Sequence, residues 1–526
     1  MAASFSSATR ASALRELAAD ALDLLVIGGG ITGAGIARDA AMRGLRTGLV
    51  EAVDFAAGTS SRSSKLIHGG IRYLQQGDVA LVREAATERA VLRRIAPHLA
   101  QPLRMVMPTY RLATQVKMKA GLFMFEKLAP VDADEQHRMW NRDEALAAEP
   151  LLSATSLHGA ATFTEYLTDD ARLVLANVLA AHAAGALVAN HAEVTGLARD
   201  RVTVRDALSG ETFVVRARVI VNAAGPWVDH VRRQAGAVGG RQLQLTKGVH
   251  LVVPERLLPL RHSVIMTARD KRSIFVVPRD GMIYIGTTDT FYASPTLVPE
   301  VTRDDAEYLL EATNRTFRDT RLTTADMTGA WSGLRPLLAE EGKSPSEISR
   351  RDEIMVDEAT GLVTIAGGKL TAYRRMAERV VDLVFTRLAR RAEPCRTEQV
   401  ALAGGEAPPS ALPETLSPST RGRLGRLYGS ACTALLARDP SARTVPGLPD
   451  VLAAEIDHAI DAEMALTLED VLERRTRALL FDAAQGLNGV EAVAATMARR
   501  LDWDATRTAA EIAHYRRLAT SLRSFT

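Results

Sequence analysis

The segment Gly28-Gly29-Gly30-Ile31-Thr32-Gly33 has the glycine spacing of a turn that binds the pyrophosphate of a dinucleotide. Gly28, Gly30 and Gly33 stand where a tight turn, close approach to phosphate and close helix packing each exclude a β-carbon. The amides of the following helix N-terminus would face the phosphates. Glu51 ends the next apolar run, where a carboxylate can accept hydrogen bonds from a ribose. An ordinary glycine-rich turn with a surface glutamate is the alternative, and the complete βαβ pattern disfavours it.

Glu51 does not separate FAD from NAD, because both cofactors carry an adenosine ribose with free hydroxyls. Two further strand-to-turn segments bear on that choice, VIVNAAGPW at 219–227 and GLVTIAGGKLT at 361–371. Three such turns, dispersed along the chain and converging on one ligand, suit a long extended cofactor. The candidate cofactor residues in the two later turns are Ala224, Gly225, Gly368, Leu370 and Thr371.

Five further segments are more specific than the glycine-rich turn. They are GTSSRSSKLIHGGIRYL at 58–74, DDARL at 169–173, KGVH at 247–250, GTTD at 286–289 and SGLRPL at 332–337. On these segments the chain resembles the FAD-dependent glycerol-3-phosphate dehydrogenases, of the wider glycine oxidase and D-amino-acid oxidase fold group. The resemblance runs from about residue 23 to the C-terminus.

The resemblance implies that FAD is the cofactor and that the serine-rich run contacts it. Ser60, Ser61, Lys65 and Leu66 would line the flavin and pyrophosphate, with His68 and Gly70 also on the cofactor side. The helix that begins after Gly368 would approach the edge of the isoalloxazine, where its N-terminus favours negative charge on the reduced flavin. On composition alone, the serine-rich run could instead be a flexible solvated loop.

The reaction implied is oxidation of sn-glycerol 3-phosphate to dihydroxyacetone phosphate, with hydride transfer to flavin N5 and electrons passed to a membrane quinone. The hydroxyl proton needs a base whose pKa lies near the working pH, for which histidine is the natural choice. His250 is the preferred base, and a hydrogen-bonded core histidine is the alternative interpretation. His68 is the second candidate.

The substrate is a dianion, so its pocket needs fixed cations, and the planar fork of arginine suits phosphate oxygens. The main candidates are Arg72, Arg335 and Lys369, and the secondary ones are Tyr73, Thr371 and Arg272. Most arginines are solvated surface charges. The position of Arg335 in the substrate segment of the family favours a functional role. The predicted catalytic set is therefore His250, Arg335 and Lys369.

The composition excludes several classes of protein. The 65 basic and 62 acidic residues leave a net charge of +3, which does not favour a nucleic-acid partner. The two cysteines, Cys395 and Cys432, lack the spacing of a disulfide framework or a metal site. They lie outside the segments quoted above, so we expect non-covalent FAD. We also expect no metal and a reducing cytosolic compartment.

The chain is long enough for two or three domains. We expect an α/β protein with a glutathione-reductase-like Rossmann domain, a mixed-sheet substrate domain of the D-amino-acid-oxidase type and a C-terminal all-helical cap. The oxidoreductase region spans about 20–390, with FAD-binding parts at 20–75, 150–240 and 350–390 and substrate-binding parts at 75–150 and 240–350. A proline- and glycine-rich stretch at 403–418 suggests a linker, and the cap covers 391–526.

No apolar run reaches the length of about 18 residues that a membrane-spanning helix needs. The segment 111–129 mixes three lysines with large apolar residues and could lie in a bilayer interface. Packing of an amphipathic helix on its own core is the alternative. With the resemblance, we expect a cytoplasmic, monotopic enzyme on the inner face of the cytoplasmic membrane. The oligomeric state stays open, with a homodimer as one candidate.

Three rival functions remain at this level. The nearest is a glycerol-3-phosphate oxidase that uses oxygen, although such oxidases tend to carry an internal insertion that this sequence lacks. A non-catalytic flavoprotein and an FAD-dependent amine or amino-acid oxidase on the same scaffold are the others. Acceptor assays, flavin bleaching and substrate competition distinguish them.

Overall fold

Two β-sheets organise the chain in the computed structural model, which describes residues 5–525 except 71–78, 129–130, 238, 341, 346, 350 and 409–410. One sheet is largely parallel and the other is mixed, and a mainly helical region follows them. The predicted α/β class is confirmed. Within these residues, no helix has the length and apolar character needed to cross a bilayer.

The strands are β1 (Leu22–Ile27), β2 (Thr47–Val50), β3 (Leu66–Ile67), β4 (Gln101–Thr109), β5 (Arg138–Asn141), β6 (Gly159–Leu167), β7 (Leu187–Ala189), β8 (Ala192–Leu197), β9 (Arg201–Asp206), β10 (Thr212–Asn222), β11 (Leu243–Pro254), β12 (Ser263–Thr267), β13 (Ser273–Arg279), β14 (Met282–Gly286), β15 (Thr290–Phe291), β16 (Gly329–Leu338), β17 (Asp352–Val356), β18 (Val363–Gly367), β19 (Thr444–Val445) and β20 (Leu448–Leu452). The helices are α1 (Ser7–Ala19), α2 (Ile31–Met42), α3 (Val79–Ile95), α4 (Leu112–Leu128), α5 (Arg142–Ala148), α6 (Asp170–Ala183), α7 (Val228–Gln234), α8 (Arg303–Thr316), α9 (Tyr373–Arg387), α10 (Pro418–Tyr428), α11 (Cys432–Arg438), α12 (Ala453–Ala462), α13 (Ala478–Phe481), α14 (Val490–Leu501) and α15 (Ala505–Ser521).

The parallel sheet has the order β18-β10-β1-β2-β7, with β17 antiparallel at one edge. Its central strand β1 is buried because α2, α6 and α9 cover one face of the sheet and α1 with the β8-β9 hairpin covers the other, which explains the continuous apolar run at 24–27. Helix α2 packs against α6 and α9 over this sheet. The carboxyl ends of β1, β2, β10 and β18 therefore meet at one edge, where open α/β sheets bind ligands.

The mixed sheet carries the second set of candidate residues. Strand β11 is its organising element, since it pairs with β14, β15 and β16. The register places His250 opposite Trp331 and Thr246 opposite Arg335. Because directly opposed residues share a face, Arg335 and His250 project from the same side of the sheet.

The C-terminal part is mainly helical, and it also contains the short hairpin β19-β20. Thr467 and Asp470 form the reciprocal cap that their spacing predicts, each backbone N–H donating to the other side chain at 3.1 Å. Asp504 caps α15 by accepting from the N–H of Arg507 at 2.7 Å. Caps of this kind can therefore be predicted from the local sequence, without knowledge of the tertiary fold.

Other features differ from the sequence-based description. Strands β3 and β6 lie within segments assigned to FAD-binding parts, yet they pair in the mixed sheet. Their apolar patterns define strands but not which sheet they join. Helix α1 was not predicted, and it is anchored by Arg10, which donates to the carbonyl of Asn190 at 2.9 Å and pairs with Asp206 at 2.7 Å. Both partners are far away in sequence.

Candidate active site

A cavity of about 620 Å³ opens at the carboxyl edge of the parallel sheet. A cavity of this volume is typical of sites that bind cofactors and drug-sized molecules. All three turns identified in the sequence contribute to its wall. The candidate cofactor residues that line it are Gly28, Gly30, Glu51, Ser60, Ala224, Gly225, Gly368 and Leu370, together with Lys369.

The first turn is packed so tightly that two of its glycines have no room for a side chain. Gly28 has φ +108°, and a β-carbon there would lie 2.7 Å from the carbonyl oxygen of Ala223. A β-carbon on Gly33 would lie 1.9 Å from the carbonyl oxygen of Gly28. Gly33 thus lets α2 approach the strand rather than lining the cavity itself, and the N-terminus of α2 points into the site.

Replacing Gly33 by alanine is expected to weaken dinucleotide binding. The added carbon must displace the turn, and such overpacking costs about 1–3 kcal/mol, or roughly 5- to 150-fold in the dissociation constant if the strain falls on the bound turn. The measurement is a fluorescence titration of the purified apoprotein with FAD. Gly425→Ala is the matched control, because nothing lies within 4 Å of a β-carbon there. Unchanged affinity in the Gly33→Ala protein would contradict the packing argument.

Glu51 closes the cavity at the end of β2. Its carboxylate accepts from the N–H of Gly29 at 2.6 Å and from the N–H of Val53 at 3.0 Å. Burial raises the pKa of Glu51, and the two backbone donors oppose that shift. A carboxylate held in this way presents its acceptor oxygens to hydroxyl donors, as a ribose diol requires.

The third turn connects β18 to α9 through Gly367 and Gly368, whose φ values are +78° and +85°. Lys369 follows in extended conformation and lines the cavity. Thr371 is buried, and its hydroxyl donates to the carbonyl oxygen of His68 at 3.4 Å. The turn is therefore joined to the end of the segment 58–70.

The segment Gly58–Lys65, which we call the serine loop, crosses from the cavity to the mixed sheet. Ser60 accepts from the N–H of Ile31 at 3.0 Å. Ser61 and Lys65 are buried away from the cavity, and the Lys65 ammonium donates to the carbonyl of Ser61 at 2.8 Å and to Asp170 at 2.9 Å. Burial lowers the pKa of Lys65 to about 8.

His250 lies under the serine loop. Its Nε2 is 2.9 Å from Oγ of Ser64, and its ring stacks on Trp331 with centroids 4.8 Å apart. Burial lowers the pKa of His250 well below its ordinary value, and the charges of Arg335 and Lys65 lower it further. Burial and these charges therefore favour the neutral form of the imidazole. The loop is fixed above it, since Trp331 donates to the carbonyl of Ser63 at 3.1 Å.

Arg335 lies along the same face of the mixed sheet. Its guanidinium donates to Asp289 at 3.1 Å and to the hydroxyl of Thr287 at 3.0 Å. Gly248 makes room for it, since a β-carbon there would lie 2.3 Å from Nη2 of Arg335. Arg272 reaches the same corner by donating to the carbonyl of Asp289 at 2.9 Å. Two cations thus meet at Asp289.

The remaining candidates are placed as follows. Leu66 is buried in β3, His68 is half-buried, and Gly70 ends the described part of its segment with φ +79°. Arg72 and Tyr73 lie outside the described residues. Cys395 and Cys432 lie away from the cavity, beside Thr397 and the carbonyl of Leu424.

Several residues at the site were not singled out from the sequence. Trp227 and His230 line the cavity after the second turn, and 192–194 line it after β7. Ser64, Trp331 and Asp289 complete the surroundings of His250 and Arg335. Except for 192–194, each lies in or beside a segment quoted above, so position in those segments was the available signal. Their contacts depend on strand pairing that the local sequence does not specify.

Known proteins resemble this chain in sequence and in fold. The model of the family described as FAD dependent oxidoreductase matches residues 23–374, and that of the C-terminal domain of alpha-glycerophosphate oxidase matches 395–508. The aerobic glycerol-3-phosphate dehydrogenase of Bacillus subtilis (strain 168) is 39% identical over 529 residues, covering 95% of each chain. The glycerol-3-phosphate dehydrogenase of Bacillus halodurans, solved in complex with FAD, superimposes with a TM-score of 0.82 at 36% identity over 99% of each chain. The L-alpha-glycerophosphate oxidase of Mycoplasma pneumoniae, at 19% identity and a TM-score of 0.58 over 73% of this chain and 99% of that one, shares the fold.

Proposed function

The chain belongs to the FAD-dependent oxidoreductase family, and from that membership we propose that it oxidises sn-glycerol 3-phosphate to dihydroxyacetone phosphate. The observation that carries the proposal is that His250, which is buried, and Arg335, which is partly buried, lie on one face of the mixed sheet. Pro336, the neighbour of Arg335 on β16, lines the cavity. One group suits the alcohol proton and the other suits the phosphate. Glycerol 3-phosphate, which appears in the names of the relatives, has both an alcohol and a phosphate group.

The residues of the cavity fit FAD. The glycine-rich turn and the N-terminus of α2 would hold its pyrophosphate, Glu51 its ribose, and the turn at 367–371 would approach its ring. When bound, the flavin supplies the acceptor for the hydride that leaves C2 of the substrate. Because neither Cys395 nor Cys432 lines the cavity, we propose that FAD is bound non-covalently.

We assign to His250 the removal of the proton from the substrate alcohol, with Ser64 as the group that relays it. His250 is 2% exposed, whereas Ser64 is half-buried and lies 2.9 Å from Nε2. A hydroxyl in that position can accept a proton from the substrate while donating its own to the imidazole. Lys65 remains bound to Asp170 and contributes positive charge nearby.

We assign binding of the substrate phosphate to Arg335, with Arg272 and Lys369 as further cations. Arg335 is 19% exposed and is held by Asp289 and Thr287, so its orientation is fixed before substrate arrives. A preorganised fork binds phosphate oxygens at a smaller entropic cost than a flexible ammonium does. Arg72, Tyr73 and Thr371 remain proposed substrate contacts from the sequence.

An anaerobic titration of the holoenzyme with glycerol 3-phosphate tests the substrate. We expect loss of the visible absorbance of oxidised flavin, and its recovery on addition of a quinone analogue but slowly with oxygen. Rapid recovery with oxygen would indicate an oxidase, and bleaching by amino acids instead would indicate an amino-acid oxidase. No bleaching by any of these substrates would refute the dehydrogenase assignment and leave a non-catalytic flavoprotein.

We further propose that the acceptor is a membrane quinone and that α4 attaches the enzyme to the inner face of the cytoplasmic membrane. Helix α4 buries Met118, Leu122 and Phe125 against the protein, as the core-packing alternative requires. Its outer surface nevertheless exposes large apolar side chains. This surface, which we call the α4 patch, consists of Leu112, Val116, Phe123 and Met124, 54–62% exposed, with Lys117, Lys119 and Lys127 exposed around them.

Replacing Val116 and Phe123 by glutamate is expected to release the enzyme from membranes. Each side chain contributes about 1.5–3 kcal/mol when fully buried in an apolar phase, so even partial insertion gives at least roughly tenfold weaker partitioning. The measurement is flotation with vesicles that contain anionic phosphatidylglycerol. Val214→Glu, at an exposed apolar position on β10, is the control. Equal flotation of the wild-type protein, the variant with both glutamates and the Val214→Glu control would contradict attachment through the α4 patch.

The division into FAD-binding parts, substrate-binding parts and a cap remains our proposal for the domain organisation. The homodimer also remains a proposal. Light scattering of the detergent-free enzyme distinguishes it from a monomer.

A further inference from the structure

A buried segment of the C-terminal part contacts the loop that follows Glu51. We call this loop, Glu51–Ala57, the ribose loop. Arg475 donates from both terminal nitrogens to the two oxygens of Asp54, at 2.7 and 3.0 Å, and Arg474 adds a third bond to Asp54 at 2.8 Å. Asp54 is fully buried, and each arginine is about 1% exposed. Two positive charges more than 400 residues away in sequence thus hold one carboxylate of this loop.

Asp54 is joined to Glu51 through short backbone steps. The N–H of Val53 donates to the carboxylate of Glu51 at 3.0 Å, and the N–H of His191 donates to the carbonyl of Val53. Asn190 bridges the two parts of the chain, donating to Asp54 at 2.9 Å and to the carbonyl of Met464 at 3.0 Å. A displacement of Asp54 would therefore move the groups that orient Glu51.

The same C-terminal segment holds the serine loop. Arg477 donates to the carbonyl oxygen of Ser61 and to Asp170, both at 3.2 Å, and pairs with Asp169 at 3.0 Å. Glu473 pairs with Arg62 at 2.8 Å, with both side chains at most 1% exposed. Burial would raise the pKa of Asp169, but Arg477, Arg279 and Lys65 reverse that effect and keep it below its usual range.

These contacts form one structure, which we call the C-terminal clamp: Glu473, Arg474, Arg475 and Arg477. It lies on and next to a π-helical turn, Asp470–Arg475, a rare geometry that is frequent at functional sites. Ion pairs this deeply buried tolerate little displacement, because separation leaves a charge without compensation. The clamp therefore fixes the relative position of two consecutive loops that both line the dinucleotide cavity.

We propose that FAD binding and docking of the C-terminal clamp are thermodynamically coupled, so that the C-terminal part contributes to cofactor affinity without touching the cofactor. The clamp residues are positioning residues. Docking sets the ribose loop and the serine loop in their binding geometry, and bound FAD in turn stabilises the docked clamp, because coupling between two sites is reciprocal. The inference depends on FAD and not on which substrate is oxidised.

Replacing Arg475 or Arg477 by lysine tests the forward direction while keeping the buried charge. Lysine lacks the guanidinium with which Arg475 binds both oxygens of Asp54. It also lacks the one with which Arg477 binds Ser61 and Asp170. We expect FAD to be released about 5- to 150-fold faster from each variant holoenzyme, the range of ordinary site-to-site coupling, as followed by recovery of flavin fluorescence on dilution. Arg423→Lys is the control, because Arg423 is a buried arginine that bonds to Glu455 at 3.0 Å and to the carbonyl of Asp450 at 3.1 Å. It reaches the clamp segment through the carbonyl of Thr476, at 3.3 Å, and has no bond to Asp54 or to the serine loop among the contacts described.

Stability must be separated from coupling in this experiment. Thermal unfolding of the three variants identifies temperatures at which each is equally folded, and release is compared there. Equal release from the Arg423→Lys protein and the two clamp variants would overturn the proposal, and so would release from the clamp variants at the wild-type rate. Faster release from the clamp variants alone would support it.

Hydrogen exchange on the unmodified chain tests the reverse direction. Amides in 463–477 should exchange more slowly, by a similar factor, when FAD is added to apoprotein. Amides of the hairpin β19-β20, which lies in the same C-terminal part outside the clamp, serve as the internal reference. Exchange in 463–477 that does not respond to FAD would overturn the coupling even if the variants lose cofactor, and it would leave the substrate assignment untouched.

Discussion

Replacing Arg335 by methionine is expected to lower kcat/KM for glycerol 3-phosphate by roughly 30- to several-thousand-fold, corresponding to about 2–5 kcal/mol for a truncated charge pair. The change should appear mainly in KM, because the phosphate is remote from the bond that breaks. Steady-state assays with a quinone analogue measure it. Arg335→Lys should be intermediate, since an ammonium keeps the charge but not the fork.

The comparison with unphosphorylated glycerol makes this prediction specific. If Arg335 binds phosphate, the variant loses its preference for glycerol 3-phosphate over glycerol, whereas general damage would weaken both substrates equally. Arg303→Met is the control, because that arginine is 71% exposed and pairs only with Glu307 among the contacts described. A variant that kept the wild-type preference would refute the phosphate role. FAD content must be verified in every preparation.

Replacing His250 by glutamine is expected to lower kcat by about 10²- to 10⁴-fold, the range of general base catalysis. Glutamine retains a hydrogen-bonding group for Ser64, so the serine loop should keep its position and the flavin should stay bound. Rapid mixing of the variant with glycerol 3-phosphate measures flavin reduction directly. A rate within a few-fold of wild type would show that His250 is a structural histidine, the alternative that the sequence left open.

The pH dependence of kcat/KM provides a second readout for His250. Because burial and the neighbouring cations lower its pKa, the base stays neutral as the pH falls through 6.5, and its protonation limits activity only well below that value. The substrate phosphate titrates near about 6 and affects wild type and variant alike. The loss of activity that protonation of His250 causes at lower pH should therefore be absent from the pH profile of the His250→Gln variant. Ser64→Ala should lower kcat while preserving this limb, if the serine relays the proton.

Local sequence was sufficient for the elements whose chemistry is short-range. The glycine-rich turn, Glu51 and the caps at Thr467 and Asp504 each depend on residues within one turn or one βαβ unit. The resemblance directed attention to the segments containing His250 and Arg335, which the structure places on one face of one sheet. Their roles in catalysis stay predictions.

Long-range pairing accounts for what could not be predicted. Trp331 stacks on His250 because β11 and β16 are neighbours, and no local periodicity encodes that register. The arginines of the C-terminal clamp look like solvated charges in the sequence, yet they are among the most buried side chains of the described structure. Strand β10 extends well before the segment 219–227 that the sequence analysis identified, since residues 213–218 form the same strand.

Helix α4 has two contrasting sides, and their proximity bears on how electrons leave the enzyme. Phe125, on its inner side, lies so close to Gly69 that a β-carbon there would be 2.3 Å from the ring, and Gly69 adjoins His68 at the third turn of the cavity. The exposed side chains of Phe123 and Met124 are on the outer side of the same helix. A helix is about 10–12 Å across. If the outer side rests in lipid, the hydrocarbon that would dissolve a quinone tail begins about one helix diameter from the turn that we propose to approach the flavin ring. A quinone acceptor would then reach that turn without passing through water.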